Sequence, residues 1–294
     1  MAEQTRALRA RQKAVGNIQR ITKTMQMIAT ARFQSMQKAA TEAQAYSRKL
    51  AEVVGELSSA SGSVDHPLLH APEPTAGRTA LLVISSNRGL CGAYNANVLR
   101  TALHTHAELA AAGTVSNELV GKKSRSFFGF NGIPVDAFHD EFGDSPNYPA
   151  VEALANRLML EFIDGKYDAV KVVYMHFLTM SKQVPEVLQL LPIKPPAADD
   201  AGEGEAAGQT LYDFSPEPEK LLADLLPRTV RTTLFQCFNE ALVSEQLSRM
   251  VAMKAATDAA GKLKKELGRR YNRARQTAIT TELSEIIAGA ASVA

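Results

Sequence analysis

The sequence predicts an α/β protein in which two long terminal helices pair antiparallel as a coiled coil, with a small α/β domain between them in chain order. Three observations predict it. Proline is absent from Met1 to His66 and again after Pro227. Both of these arms repeat apolar or small residues at steps of three and four, the spacing of one helix face. The stretch between them alternates short apolar runs with helical patterns, punctuated by Gly, Pro and Ser.

The first arm carries a seven-residue repeat. One column runs Leu8, Val15, Thr22, Ala29, Met36, Ala43, Leu50, Leu57, and its companion runs Arg11, Ile18, Met25, Arg32, Ala39, Tyr46, Val53. That is the seam of a left-handed coiled coil, here polar and small. Continuous from about residue 3 to 57, such a helix is roughly 80 Å long. The last arm mirrors it. Ala256, Ala260, Leu263, Leu267, Tyr271, Ala274 and Ala278 form a helical stripe, and Pro216, Pro218 and Glu219 suit a first turn. A helix from about residue 218 to 288 is roughly 100 Å long, with a kink possible at Pro227. The longer helix should project beyond the shorter by about 20 Å, ending in Ile286-Ile287-Ala288-Gly289-Ala290.

Between the arms, residues 58–77 read as a Ser/Pro/Gly linker. Thr79 to Ser85 is a nearly continuous apolar run, the mark of a strand buried on both faces. A loop over 86–92 leads to a helix near 95–112. A second strand is expected at 117–121, a helix start at 124–128, a third strand at 133–138 and a helix at 149–164. Strands at 169–179 and 183–191 read as a hairpin. Alternating strand and helix predicts a Rossmann-like domain with a largely parallel sheet. The domain boundaries are placed at 1–58 for the N-terminal helix, 78–195 for the α/β domain, 196–215 for an acidic loop and foot, and 216–294 for the C-terminal helix. Within the third, residues 197–209 are acidic and small.

Hydrophobic residues make up 45%, enough for a core. No run of about 18 apolar residues exists to cross a bilayer. The Arg-rich N-terminus runs without a break into the periodic helix and is read as mature structure, not a transit peptide. Cys91 and Cys237 lack metal-ligand spacing and read as buried thiols of a reducing compartment. The net charge of +2 is unevenly spread: the flanking arms are basic and the middle acidic. Residues 1–50 hold ten Lys and Arg against two Asp and Glu. Such arms want an anionic partner.

No catalytic, cofactor-binding or metal-ligating set emerges. The loop Asn87-Arg88-Gly89-Leu90-Cys91-Gly92 follows a buried strand, where dinucleotide folds place a phosphate loop. Its glycine spacing fits neither G-x-G-x-x-G nor G-x-x-x-x-G-K-[ST], so it reads as a structural turn. The six histidines are scattered, and His66 and His70 are separated by a proline that breaks a helical metal clamp. The arms lack the stacking aromatics of a single-strand binder.

Four segments carry a resemblance. Ile21-Thr22-Lys23-Thr24-Met25-Gln26-Met27-Ile28-Ala29, the loop from Ser86 to Gly92, Ser244 to Ala256 and Tyr271 to Ala290 resemble, in order and spacing, the signatures of gamma subunits of rotary (F-type) ATP synthases of bacterial type. Departures are few: Thr24 stands for a usual Ala, Asn87 for Asp, Ala93 for Gly, Ala259 for Asn and Thr281 for Gln. Those two sit on the shaft, so the resemblance does not by itself carry over the contacts of that Asn and Gln. The dithiol insertion of chloroplast relatives is missing, so no thiol switch is expected.

The resemblance implies a non-catalytic rotor shaft, without cofactors, that couples proton-driven rotation of the c ring to ATP synthesis in the alpha/beta head. It implies alpha, beta and epsilon subunits and the c ring as partners, no specific nucleic acid, and a peripheral place on the cytoplasmic face of the bacterial inner membrane. It places Met25, Arg249, Gln276, Thr280 and Glu282 at coupling contacts with the head, and Tyr212 at the c-ring foot. The competing reading is a DNA-binding coiled-coil protein with an α/β insert.

Overall fold

The computed structural model describes residues 2–60, 66–71, 77–143, 146–193 and 218–291. The acidic stretch 197–209 and Tyr212 lie outside the described residues. Two helices dominate: α1 (Ala2–Ala60) and α5 (Pro218–Ala291). Pro227 lies inside α5, ten residues from its start, where the assigned helix runs on without interruption.

Between them come β1 (Arg78–Ile84), α2 (Tyr94–Ala112), β2 (Thr114–Val120), α3 (Lys122–Phe130), β3 (Ala137–His139), α4 (Tyr148–Ile163), β4 (Ala169–Thr179) and β5 (Lys182–Leu191). The sheet order is β3-β2-β1-β4-β5, parallel except for the β4–β5 hairpin. This is the predicted Rossmann-like, largely parallel arrangement. Two boundaries differ from expectation. β2 begins three residues earlier, because Thr114 to Ser116 pair with Arg78 to Ala80 despite their polarity. β3 is short and late, since only Ala137 to His139 reach β2, the preceding Pro134 having no N–H to donate. Pro185 sits in β5 without harm because β5 is an edge strand.

The chain forms two compact units, residues 32–248 and residues 1–31 with 249–294. In the larger unit β1 is buried on both faces, as its apolar run predicts. Ala80, Leu82 and Ile84 face a core shared with α4 (Val151, Leu158, Phe162) and with Leu222, Leu226, Leu234 and Phe238 of α5. Leu81 and Val83 face Val98, Leu99 and Phe128 of α2 and α3. The smaller unit is an antiparallel helix pair. Thr22 and Thr257 share a 2.9 Å hydrogen bond, and Gln19 lies against Gly261 and Gln12 against Gly268, so the register advances one residue for one.

Candidate functional site

In the smaller unit, Leu8, Val15, Thr22 and Ala29 turn inward as their column predicts. The companion column does so only in part, since Met25 alone of Arg11, Ile18 and Met25 is half-buried. Arg11 is exposed and Ile18 is 53% exposed, and the inward places belong to Gln12, Gln19 and Gln26, one residue later. The reason lies on α5. A β-carbon built at Gly261 would sit 3.1 Å from Gln19 Nε2, and one at Gly268 would sit 3.1 Å from Gln12 Nε2. Two glycines thus open holes that accept long amide side chains, where the apolar count alone favours Ile18. On α5 the stripe holds at Ala256, Ala260, Leu267, Tyr271, Ala274 and Ala278, but Leu263 is exposed. Its neighbour Lys264 reaches over Gly16 instead. The seam of glycines, glutamines and threonines is thinly apolar, while Ile18, Ile21, Met27, Ile28, Val251 and Leu263 lie exposed on the outside of the pair.

The register carries Ala2 to the level of Ala278, so α5 continues alone for thirteen residues to Ala291, about 20 Å. On this single-helix tip Ile279, Leu283, Ile286 and Ile287 are all exposed, Ile286 to 64%. The tip matches the expectation from the two helix lengths. The unit's charge is one-sided as well: residues 1–31 and 249–294 hold fifteen Lys and Arg against five Asp and Glu.

The sequence-predicted contact residues fall at two levels of this pair. Met25 is half-buried on α1 and Arg249 is 8% exposed on α5. Gln276, Thr280 and Glu282 are exposed on α5, about 40–50 Å beyond Arg249 by helical rise. Gln276 and Thr280, four apart, share a face. Thr280 and Glu282 stand on the unpaired tip.

The larger unit offers no nucleotide cradle at the place where its fold class would put one. The 86–92 loop spends its polar groups on itself and on α3. Ser86 Oγ donates to the Arg88 carbonyl at 2.6 Å, and Asn95 clasps Ser86. The first amides of α3, which could hold a phosphate, donate instead to Asn87 Oδ1, the Ser86 carbonyl and Ser85 Oγ. Leu90 adopts a left-handed φ of 64° within this turn. The nearby cavity, bounded by Ile84, Phe142 and Phe238, holds about 20 Å³, room for one water. Helix α5 lines this cavity, with the Phe238 ring tilted 42° against Phe142 at 4.6 Å. Among the described residues, no group of three or more His, Cys, Asp or Glu could hold a metal ion.

Sequence reasoning missed a buried charge network. Glu118, 1% exposed in β2, accepts hydrogen bonds from Arg157 Nη1 (3.0 Å) and Nη2 (2.5 Å) of α4 and from His139 Nε2 (2.9 Å) of β3. His139 Nδ1 donates to Glu141 at 3.1 Å. Burial disfavours ionised Glu118, but the His139 and Arg157 hydrogen bonds outweigh it and hold the carboxyl below its ordinary range. Burial likewise works against a charged His139, and the two carboxylates win, so its pKa is raised. A Glu inside the strand expected at 117–121 was the available signal, since a buried carboxylate needs a partner. A second pair joins His176 Nδ1 to Glu240 of α5. Beside it the Cys237 thiol is pushed well up by burial and Tyr174 is raised too, so neither ionises.

A family model described as ATP synthase matches residues 4–293. The chain is 41% identical over 289 residues to an ATP synthase gamma chain of Rhodopirellula baltica, covering 97% of each chain. It is 39% identical to one of Desulforudis audaxviator over 98% of each, and 37% identical to one of Mannheimia succiniciproducens over 95% of this chain and 96% of that one. In fold it is similar to a chain of the Euglena gracilis mitochondrial ATP synthase rotor, with a TM-score of 0.61, 17% identity, and coverage of 95% of this chain and 100% of that one. It is also similar to a chain of the Tetrahymena thermophila mitochondrial central stalk and c-ring, with a TM-score of 0.55, 20% identity, and coverage of 80% and 99%.

Proposed function

The chain belongs to the gamma-chain family of F-type ATP synthases, the non-catalytic central rotor of that machine, and from this premise we propose the contacts through which its own residues couple rotation to catalysis. The paired helices, segments 1–58 and 216–294, stand inside the ring of alpha and beta subunits. Acidic levers on beta meet the cations of the shaft. Met25 faces those levers at one level, with Arg249 close by. Gln276, Thr280 and Glu282 make the second set of contacts about 40–50 Å beyond Arg249. The exposed isoleucines of the tip turn within an apolar collar, which grips without directional bonds. The α/β domain, 78–195, sits beside epsilon, and the foot, 196–215 with Tyr212, touches the c ring. Proton flow through that ring drives the shaft, and the chain is peripheral to the cytoplasmic face of the bacterial inner membrane. In the described residues no helix is long and apolar enough to cross it.

The observation that carries this reading is the pairing of a polar, glycine-punctuated seam with a single-helix tip whose apolar side chains are bare. Such a surface is a liability in water and a bearing inside a collar. As the shaft turns it makes different contacts with each catalytic site in succession, and those differences shift each site's affinity for nucleotide. The test is Met25→Lys. A new ammonium there seeks a carboxylate on beta and holds the shaft at one angle, a barrier of about 1–3 kcal/mol. Membranes carrying the variant should assemble the complex but pump fewer protons per ATP hydrolysed. An unchanged ratio would refute the placement of Met25.

A further inference from the structure

One face of α1 in the smaller unit carries Arg9, Lys13, Gly16, Arg20 and Lys23 at steps of four, three, four and three, a continuous helical stripe. With Lys264 of α5 and the amides of Gln12, Asn17 and Gln19 it lines a groove between the two helices. None of the five cations is paired with a carboxylate among the described residues; Arg20 donates only to the Asn17 amide oxygen, at 2.7 Å. Neighbouring like charges on a helix face destabilise it, and no acid on α5 answers them here. Lys264 adds a second signal. It is exposed beside the α5 seam, and its chain lies across the pair over α1. Opposite it α1 has a glycine, and a β-carbon there would lie 3.7 Å from the Lys264 chain and 3.8 Å from its ammonium. The missing side chain leaves the ammonium bare over the groove floor.

We propose that this groove is a binding site for a chain of phosphates, as in inorganic tripolyphosphate or a nucleoside triphosphate. The stripe from Arg9 to Lys23 extends about 21 Å along the helix. A single phosphate would meet two of its cations, whereas a chain of phosphates meets several in succession. Lysine and arginine with amide donors between them are the chemistry that holds such a chain. The site is separate from the 86–92 loop and from Met25, Gln276, Thr280 and Glu282, but it shares the shaft's cations with the acidic levers proposed on beta.

Calorimetric titration of the full chain with tripolyphosphate at moderate salt tests the proposal. The expected result is one saturable site, weakened at least tenfold by the double variant Lys264→Gln/Arg20→Gln. A control with the same charge change outside the groove, Arg269→Gln/Arg275→Gln, should change affinity less than twofold. ATP should compete with tripolyphosphate: tighter binding of ATP assigns a nucleotide, equal binding assigns the phosphate chain alone, and both uphold the site. Helicity by circular dichroism must match across variants, so that a loss reports the groove and not the fold. Three results would overturn the proposal: no saturable binding, equal binding of sulfate at matched ionic strength, or equal weakening by the control. None of them bears on the rotor assignment, which stands on the family match over the whole chain.

Discussion

Replacing Arg157 with methionine should destabilise the larger unit by about 2–3 kcal/mol. Glu118 is almost wholly enclosed, and Arg157 gives it two of its three hydrogen bonds. Removing one partner of a buried pair costs about 3–5 kcal/mol, because the other charge is left stranded. The Arg157 side chain is 37% exposed, so water follows into the vacated space and the cost falls to about 2–3 kcal/mol. His139 stays to hold part of the charge. Methionine keeps much of the stem's packing, which separates the loss of charge from the loss of volume. The assay is urea unfolding of the full chain followed by circular dichroism, comparing midpoints at constant slope. A companion double variant, Arg157→Met with Glu118→Gln, removes both charges. Its cost should be smaller than the sum of the single costs by at least about 1 kcal/mol, since no ion is then orphaned. A single-variant loss below about 0.5 kcal/mol, or strict additivity, would refute the reasoning that the network is a closed, mutually dependent set.

The same network predicts a pH profile. His139 has a raised folded pKa, so its contribution is complete below the ordinary histidine value and is lost as pH rises through the folded value. Glu118 has a lowered folded pKa, so its contribution is present above the ordinary carboxylate value and is lost as pH falls through the folded value. Stability should therefore decline on both sides of a mid-range plateau, and His139→Asn should abolish the alkaline decline seen in urea midpoints. Gly121→Ala should cost several kcal/mol or block folding: φ there is +90°, and a β-carbon would lie 2.2 Å from the Ser85 carbonyl oxygen. Expression and unfolding midpoint check this. The α5 tip should be trimmed quickly by protease in the isolated chain and protected in the assembled head; equal trimming in both states would sink the bearing role.

Much of this structure was legible because its signals are local. The apolar run Thr79 to Ser85 announces a strand buried on both faces, and the β4–β5 hairpin follows from two strand patterns separated by a short turn. The column through Leu8, Val15, Thr22 and Ala29 is visible because it is apolar or small. Its companion was displaced by one residue because the inward Gln12 and Gln19 depend on Gly261 and Gly268, some 250 residues away in sequence. The same long-range dependence hides Lys264, whose chain lies over Gly16. The Glu118 network joins three elements whose adjacency follows only from strand order, which the single sequence does not contain. The contact residues Met25, Arg249, Gln276, Thr280 and Glu282 came from resemblance alone. Apart from the place of Met25 in a seam column, no feature of charge or periodicity separates them from their neighbours.

Rotation itself is the most direct test of the central claim. The chain can be assembled with bacterial alpha and beta subunits, the head fixed to a surface, and a probe tethered to the α/β domain. With ATP supplied, the account predicts that the probe turns in one direction with three pauses per revolution, one for each catalytic site, and that deleting the last residues from Leu283 onward makes the motion unsteady. A complex that hydrolyses ATP at full rate while the probe stays fixed would contradict it.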